Sequence, residues 1–224
     1  MKPDLLPASA AEADYRLYLS ALLAGDRQQC RTLFESWLIA GTDLRSLYQE
    51  VVQRSLYEVG GLWEQGRVSV ATEHLATAIT ESLLNLVYPR LFGQPHIERS
   101  AVVSCAANEY HQIGGKMVAD LFELNRWRGY FLGANTPMPD LLNLIQEKRP
   151  NAVALSVTVS FGLDGLLNAA TQIRSQFPAV PILVGGQAFL RGGRERAEQI
   201  DGVKHLPSLA ALELWIKTNS PHET

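Results

Sequence analysis

Residues 100–115 read SAVVSCAANEYHQIGG. The first half is apolar or small, as in a strand covered on both faces. The second half is a polar turn carrying Glu109, His111, Gly114 and Gly115. After it, HQIGGKMVADLFELNR has helical periodicity. The same alternation recurs downstream. GYFLG is a second strand, with PDLLNLIQEKR as its helix. NAVALSVTV is a third, followed by LDGLLNAATQIRSQF. VPILVGG is a fourth, followed by a short helix near Arg194–Glu198. GVKHL is a weak fifth, followed by SLAALELWIK. Five βα units predict a Rossmann-like domain over 101–224, with right-handed crossovers and the flavodoxin-like strand order 2-1-3-4-5.

Upstream the pattern changes. Residues 9–92 carry helical signals only, and four helices with short connections predict an antiparallel four-helix bundle over 1–92. Ser9 with Glu12 has capping-box spacing, Asp26 caps the second helix, Thr42 the third and Ser69 the fourth. Gly60-Gly61 inside the third helix weakens it relative to Ala and points to a close backbone approach. The polar stretch GQPHIERS, 93–100, is the predicted linker. The fold class is therefore α/β, a helical bundle followed by a five-stranded parallel sheet.

Composition narrows the classes. Hydrophobic residues make up 46% of the 224, enough for real cores. Twenty basic against 23 acidic residues leave a net charge of -3, which argues against a general nucleic-acid surface. The two cysteines, Cys30 and Cys105, have no CxxC spacing, so a reducing, cytoplasmic setting is expected. No secretory signal pattern and no apolar run of the roughly 18–20 residues needed to span a membrane is present.

Ligands of open α/β sheets sit outside the carboxyl ends of the strands, at the switch point between strands 1 and 3. That rim gathers Glu109 and His111, the hydroxyls of Ser156, Thr158 and Ser160, and glycines 114, 115, 185 and 186. Neither GxxxxGK[ST] nor GxGxxG is present, so it is no ordinary phosphate cradle. One histidine is too few for a zinc site. It is enough to complete a metal already held by a macrocycle, with Glu109 fixing the ring through its other nitrogen. Taken alone, His111 reads as a solvated or helix-capping histidine of a βα loop; the company of Glu109, Gly114, the Ser/Thr run and Gly185-Gly186 on one rim turns the reading toward a ligand. Cys105 reads as a buried apolar residue, Trp127 and Trp215 as packing, and the arginines of RGGRER, 191–196, as a solvated helix start.

EYHQIG, 109–114, resembles the D-x-H-x-x-G signature of cobalamin-binding domains. SVT, 156–158, resembles their S-x-L/T element, and Gly185-Gly186 their late GG. The resemblance implies that His111 is the lower axial ligand to cobalt and that Glu109, standing where Asp is usual, hydrogen-bonds it. It further implies that Gly114, Ser156, Thr158, Gly185 and Gly186 line the channel for the nucleotide tail. LWEQGRVSVATEHLAT, with Trp63 nine residues before Glu73-His74, resembles the W-x9-E-H element of the helical cap in cobalamin-dependent light-sensing repressors. There it implies that Trp63, Glu73 and His74 face the upper ligand. YFLGANTPMPDLL resembles the same branch. The histidine that follows the cap Trp in well-known photoreceptors is replaced here by Glu64.

The resemblance implies a cobalamin cofactor, with an adenosyl, methyl or hydroxo upper ligand. Its leading consequence is a sensory or regulatory protein without catalytic residues, responsive to light through the upper ligand. No MerR-type DNA-binding domain is recognised and residues 1–8 are too few for one. The expected route is therefore a protein partner such as a transcriptional regulator, or self-association, rather than direct contact with nucleic acid or membrane. The alternatives are a corrinoid methyl carrier serving methyltransferases and a passive cobalamin store.

Overall fold

The computed structural model describes residues 8–221, and side chains from residue 12 to 221. The chain divides into two compact units, Met1–Arg90 and Leu91–Thr224.

The first unit is helical. α1 (Ala8–Ala24) starts one residue before the expected cap, so Ser9 falls inside the helix. α2 (Arg27–Ile39) is capped by Asp26, whose carboxylate accepts from the Gln29 amide. The next rod begins as α3 (Leu44–Ser46), passes through a π-helical segment, Leu47–Gln53, and continues as α4 (Arg54–Glu64). Its cap is Asp43 and not Thr42: Asp43 directly precedes the first helical residue, and its carboxylate accepts from the amides of Arg45 and Ser46. α5 (Val70–Leu84) is capped by Ser69 and runs through a 3-10 turn into α6 (Tyr88–Leu91). α5 packs against α1, α2 and α4. Tyr18, Phe34, Tyr48, Leu22 and Ile79 fill the space between them, with Tyr18 edge-on to Trp37 at 5.6 Å. The expected close approach at Gly60-Gly61 does not occur. A Cβ at Gly60 meets no described atom within 4 Å, and one at Gly61 only the tip of Gln65.

The second unit is the expected doubly wound sheet. β1 (Ser100–Cys105), β2 (Arg128–Phe131), β3 (Ala152–Ser156), β4 (Ile182–Gly185) and β5 (Val203–His205) pair in parallel, in the order β2-β1-β3-β4-β5. β3 is buried along its whole length and β1 from its second residue, which is why both read as apolar runs. α8 (Met138–Lys148), α9 (Leu163–Gln176) and α10 (Arg194–Glu198) contribute to one core with Val102, Val153 and Val184. α7 (Ile113–Leu124) packs on β1 and β2, and α11 (Leu209–Thr218) packs on α7. Gly129 lets β2 approach α7, because a Cβ there would stand 2.9 Å from the Ala119 carbonyl oxygen. Trp127 is buried against Phe122 and Trp215, and its Nε1 donates to Ser220 Oγ at 2.8 Å.

The stretch 93–99 is tied into this unit. The Ile97 amide donates to the Arg126 carbonyl, Arg126 Nε donates to the Pro95 carbonyl, and His96 Nε2 lies 2.5 Å from Glu123 Oε2.

Candidate functional site

The rim is built from the loop that leaves β1. The Glu109 amide donates to the Ala106 carbonyl and closes the turn, and Asn108 takes the left-handed conformation at φ 61° that asparagine tolerates. Asn135, after β2, latches this loop from one side: its Oδ1 accepts from the Asn108 amide and its own amide donates to the Glu109 carbonyl.

Glu109 is buried, with 1% of its side chain exposed. Oε1 accepts from the His111 amide at 2.9 Å and lies 2.6 Å from His111 Nδ1. Oε2 accepts from the amides of Thr158 at 2.7 Å and Val159 at 3.2 Å, just beyond β3. Burial pushes the carboxyl pKa up, but the bonds from the His111 ring and amide and the Thr158 amide outweigh it, and the value is held below the usual one. An ionised carboxylate only accepts, so Nδ1 carries the ring proton and Nε2 carries the lone pair. The ring itself is 41% exposed, at the junction of β1 and β3. Histidines that bind metals are held in this way, by a carboxylate on the other nitrogen.

Ser156, buried at the end of β3, faces Gly114 in the first turn of α7: a Cβ on Gly114 would lie 3.4 Å from Ser156 Oγ. Thr158 joins the site through its amide, which donates to Glu109 Oε2. Gly185 ends β4 and Gly186 follows it, and the second has a reason within the chain. At φ 115°, a Cβ on Gly186 would fall 2.1 Å from the Val157 carbonyl oxygen. Cys105 is buried, and desolvation raises its thiol pKa to about 12, which suits a packing residue rather than a nucleophile. Arg194 pairs with Glu198 and Arg196 with Asp164, so these arginines are engaged at the start of α10.

In the first unit, Trp63 lies in the last turn of α4. Gly66, at φ 68°, ends that helix, with its amide on the Trp63 carbonyl and the Arg67 amide on the Leu62 carbonyl. Glu73 and His74 open α5 a few residues later. His74 Nδ1 lies 2.7 Å from Glu73 Oε2, and Thr77 Oγ1 donates to Glu73 Oε1 at 3.1 Å. Trp63 and His74 are both exposed, so neither is a core anchor.

The residue pattern did not foretell the tie from Glu109 to the 158–159 amides or the Asn135 latch. Both are made by backbone groups or by a residue 27 positions away.

One imidazole with a carboxylate behind it fits a metal whose remaining positions are filled by its own macrocycle. Among the described residues no group of three or more His, Cys, Asp or Glu side chains could hold a bare ion. Two family models match the chain, a B12 binding domain over residues 99–203 and a second B12 binding domain over 15–88.

The chain belongs to the B12-binding family.

Its cofactor is cobalamin. Family relatives include the HTH-type transcriptional repressors CarH and CarA of Myxococcus xanthus. CarH is 29% identical over 172 residues, 76% of this chain and 56% of that protein. CarA is 31% identical over 135 residues, 60% of this chain and 45% of that protein. The chain thus spans about half the length of these relatives. In fold it is similar to the monomethylamine corrinoid protein of Methanosarcina barkeri, with a TM-score of 0.78 at 14% identity, covering 90% of this chain and 96% of that one. It is also similar to the methanol:cobalamin methyltransferase complex MtaBC of the same organism, with a TM-score of 0.51 at 16% identity and coverage of 96% and 84%. Among the described residues no helix is long and apolar enough to cross a membrane.

Proposed function

We propose that this chain is a cobalamin-binding sensory or regulatory module, and that His111 Nε2 is the lower ligand to cobalt. The observation that carries the ligand assignment is the 2.6 Å contact between His111 Nδ1 and the buried Glu109 carboxylate. That contact favours the tautomer with the proton on Nδ1, in which Nε2 is the nitrogen able to bind a metal. Gly114, Ser156, Thr158, Gly185 and Gly186 are the residues that would accommodate the nucleotide tail, and Trp63, Glu73 and His74 those that would answer to the upper ligand. Bound cobalamin would supply a weak, light-labile bond to cobalt. The chain's part is to orient one imidazole, hold the proton on Nδ1 and pass a change of state to a protein partner or to a second copy of itself. Sequence similarity to two repressors supports the regulatory reading.

The second reading is a corrinoid methyl carrier. The likeness in fold to a monomethylamine corrinoid protein over nearly its full length favours it.

The test is absorption spectroscopy of the protein loaded with hydroxocobalamin. His111→Ala should shift the visible bands, and an unchanged spectrum would refute the ligand assignment. Green light on the adenosylcobalamin form should then change oligomer size or partner capture. Identical behaviour in dark and light favours the carrier.

A further inference from the structure

The seam between the exits of β1 and β2 is closed by one residue to which the sequence pattern assigned no role. Asn135 Oδ1 accepts from the Asn108 amide at 3.0 Å. The Asn135 backbone amide donates to the Glu109 carbonyl at 3.1 Å, and Asn135 Nδ2 donates to the Tyr110 hydroxyl at 3.4 Å. A single asparagine thus holds the three consecutive residues 108, 109 and 110, and the next in the chain is His111. The same seam continues on either side. The Cys105 amide donates to the Gly133 carbonyl at 3.2 Å, and a Cβ on Gly133 would stand 3.0 Å from Gln112 Oε1.

Asparagine suits this position for two reasons. Asn135 takes the left-handed conformation, at φ 51°, which few L residues other than asparagine tolerate. Its side-chain amide also carries an acceptor and a donor at once. The Asn108 amide can only donate, so the oxygen faces Asn108 and the nitrogen is left for Tyr110.

Glu109 ties the His111 ring to the exit of β3, through the amides of Thr158 and Val159. β1 lies between β2 and β3 in the sheet, and Asn135 supplies the matching restraint from the β2 side. A ring that is to complete a metal's coordination has to be in place, and any freedom its loop loses on binding is subtracted from the affinity.

We infer that Asn135 is a positioning residue for cobalamin: by clamping residues 108–110 it holds His111 in place before the cofactor arrives, and it acts through that loop and not by contact with the cofactor. This rests on the reading of His111 as the lower ligand and deepens it.

The test uses Asn135→Gly, which leaves the left-handed backbone accessible and removes only the side chain, and Asn135→Asp, which keeps the acceptor and loses the donor. In the cofactor-free protein, amide hydrogen exchange of peptides spanning 106–112 should be ~3- to 10-fold faster in Asn135→Gly, the worth of a solvent-facing hydrogen bond or two. Hydroxocobalamin should bind that variant weaker by a similar factor, and Asn135→Asp should restore most of both properties. In a His111→Ala background, Asn135→Gly should change the affinity by less than about twofold, because the clamp then has no ligand to hold. Three results overturn the inference. The first is exchange within about twofold of the parent. The second is faster exchange with unchanged affinity. The third is a loss of affinity that persists in full without His111, for Asn135 would then act on the cofactor directly or on the fold at large. A parent whose visible spectrum does not depend on His111 refutes the ligand reading itself, and the inference falls with it even where exchange shows the clamp.

Discussion

Glu109 does more than orient a ring. Its two oxygens take four donors from two loops, and two of those donors are backbone amides at the exit of β3. The extra methylene relative to Asp provides this reach. Glu109→Ala should therefore destabilise the protein by about 2–4 kcal/mol, since it leaves amides unsatisfied in a buried place. Glu109→Asp should keep only one of the two ties. Chemical denaturation read by tryptophan fluorescence measures both. The pH dependence follows from the lowered carboxyl pKa of the folded state. A depressed pKa contributes stability that is present above the unfolded value, about 4.5, and is lost as pH falls through the folded one. Parent stability should drop in that acid range, while the Glu109→Gln difference narrows; parallel curves for the two proteins would contradict it.

Among the secondary-structure elements, two sets of glycines behave oppositely. Gly186 turns the chain out of β4 at a φ that L residues avoid, over the Val157 backbone. Gly186→Ala should cost about 2–4 kcal/mol or prevent folding, because the clash is with main chain that cannot move aside. Gly60 and Gly61 lie in α4, the first facing open space and the second touching only the flexible tip of Gln65. Replacing either by Ala should raise stability by about 0.5–1 kcal/mol, seen as a higher thermal midpoint. A lower midpoint would mean that the surface over these glycines is occupied in solution. At the start of α3, Asp43→Ala should lose about 1 kcal/mol and Thr42→Ala far less, because Asp43 alone receives the first-turn amides.

Across the whole molecule, the second unit has its own sheet, cores on both faces and a clip from Trp127 to Ser220. A fragment of residues 91–224 should fold cooperatively, and it should bind hydroxocobalamin with the His111-dependent band. Loss of either property would place essential contacts elsewhere in the chain. Ser220→Ala in the fragment removes the Trp127 bond and should lower its stability by about 1 kcal/mol, the worth of one hydrogen bond. Denaturant midpoints of the fragment with and without the substitution decide this.

Much of this protein was legible along the chain because the relevant signals are local. Strands buried on both faces have to be continuous apolar runs, so SAVVSC and NAVALS announced β1 and β3. Alternation with helices then allowed few topologies, and the strand order followed. Glu109 and His111 are two residues apart, so their pairing needed only a loop. What lay out of reach depended on meetings between distant segments. Thr158 and Val159 offer Glu109 main-chain amides that no residue identity advertises. Phe161 and Leu190 look like core residues in composition and face solvent because neighbours such as Ala188 and Phe189 take the inward positions. Local periodicity and sterics set the elements and their order. Only packing, which satisfies every buried polar group and leaves some apolar ones outside, determined which side chains share the rim around His111.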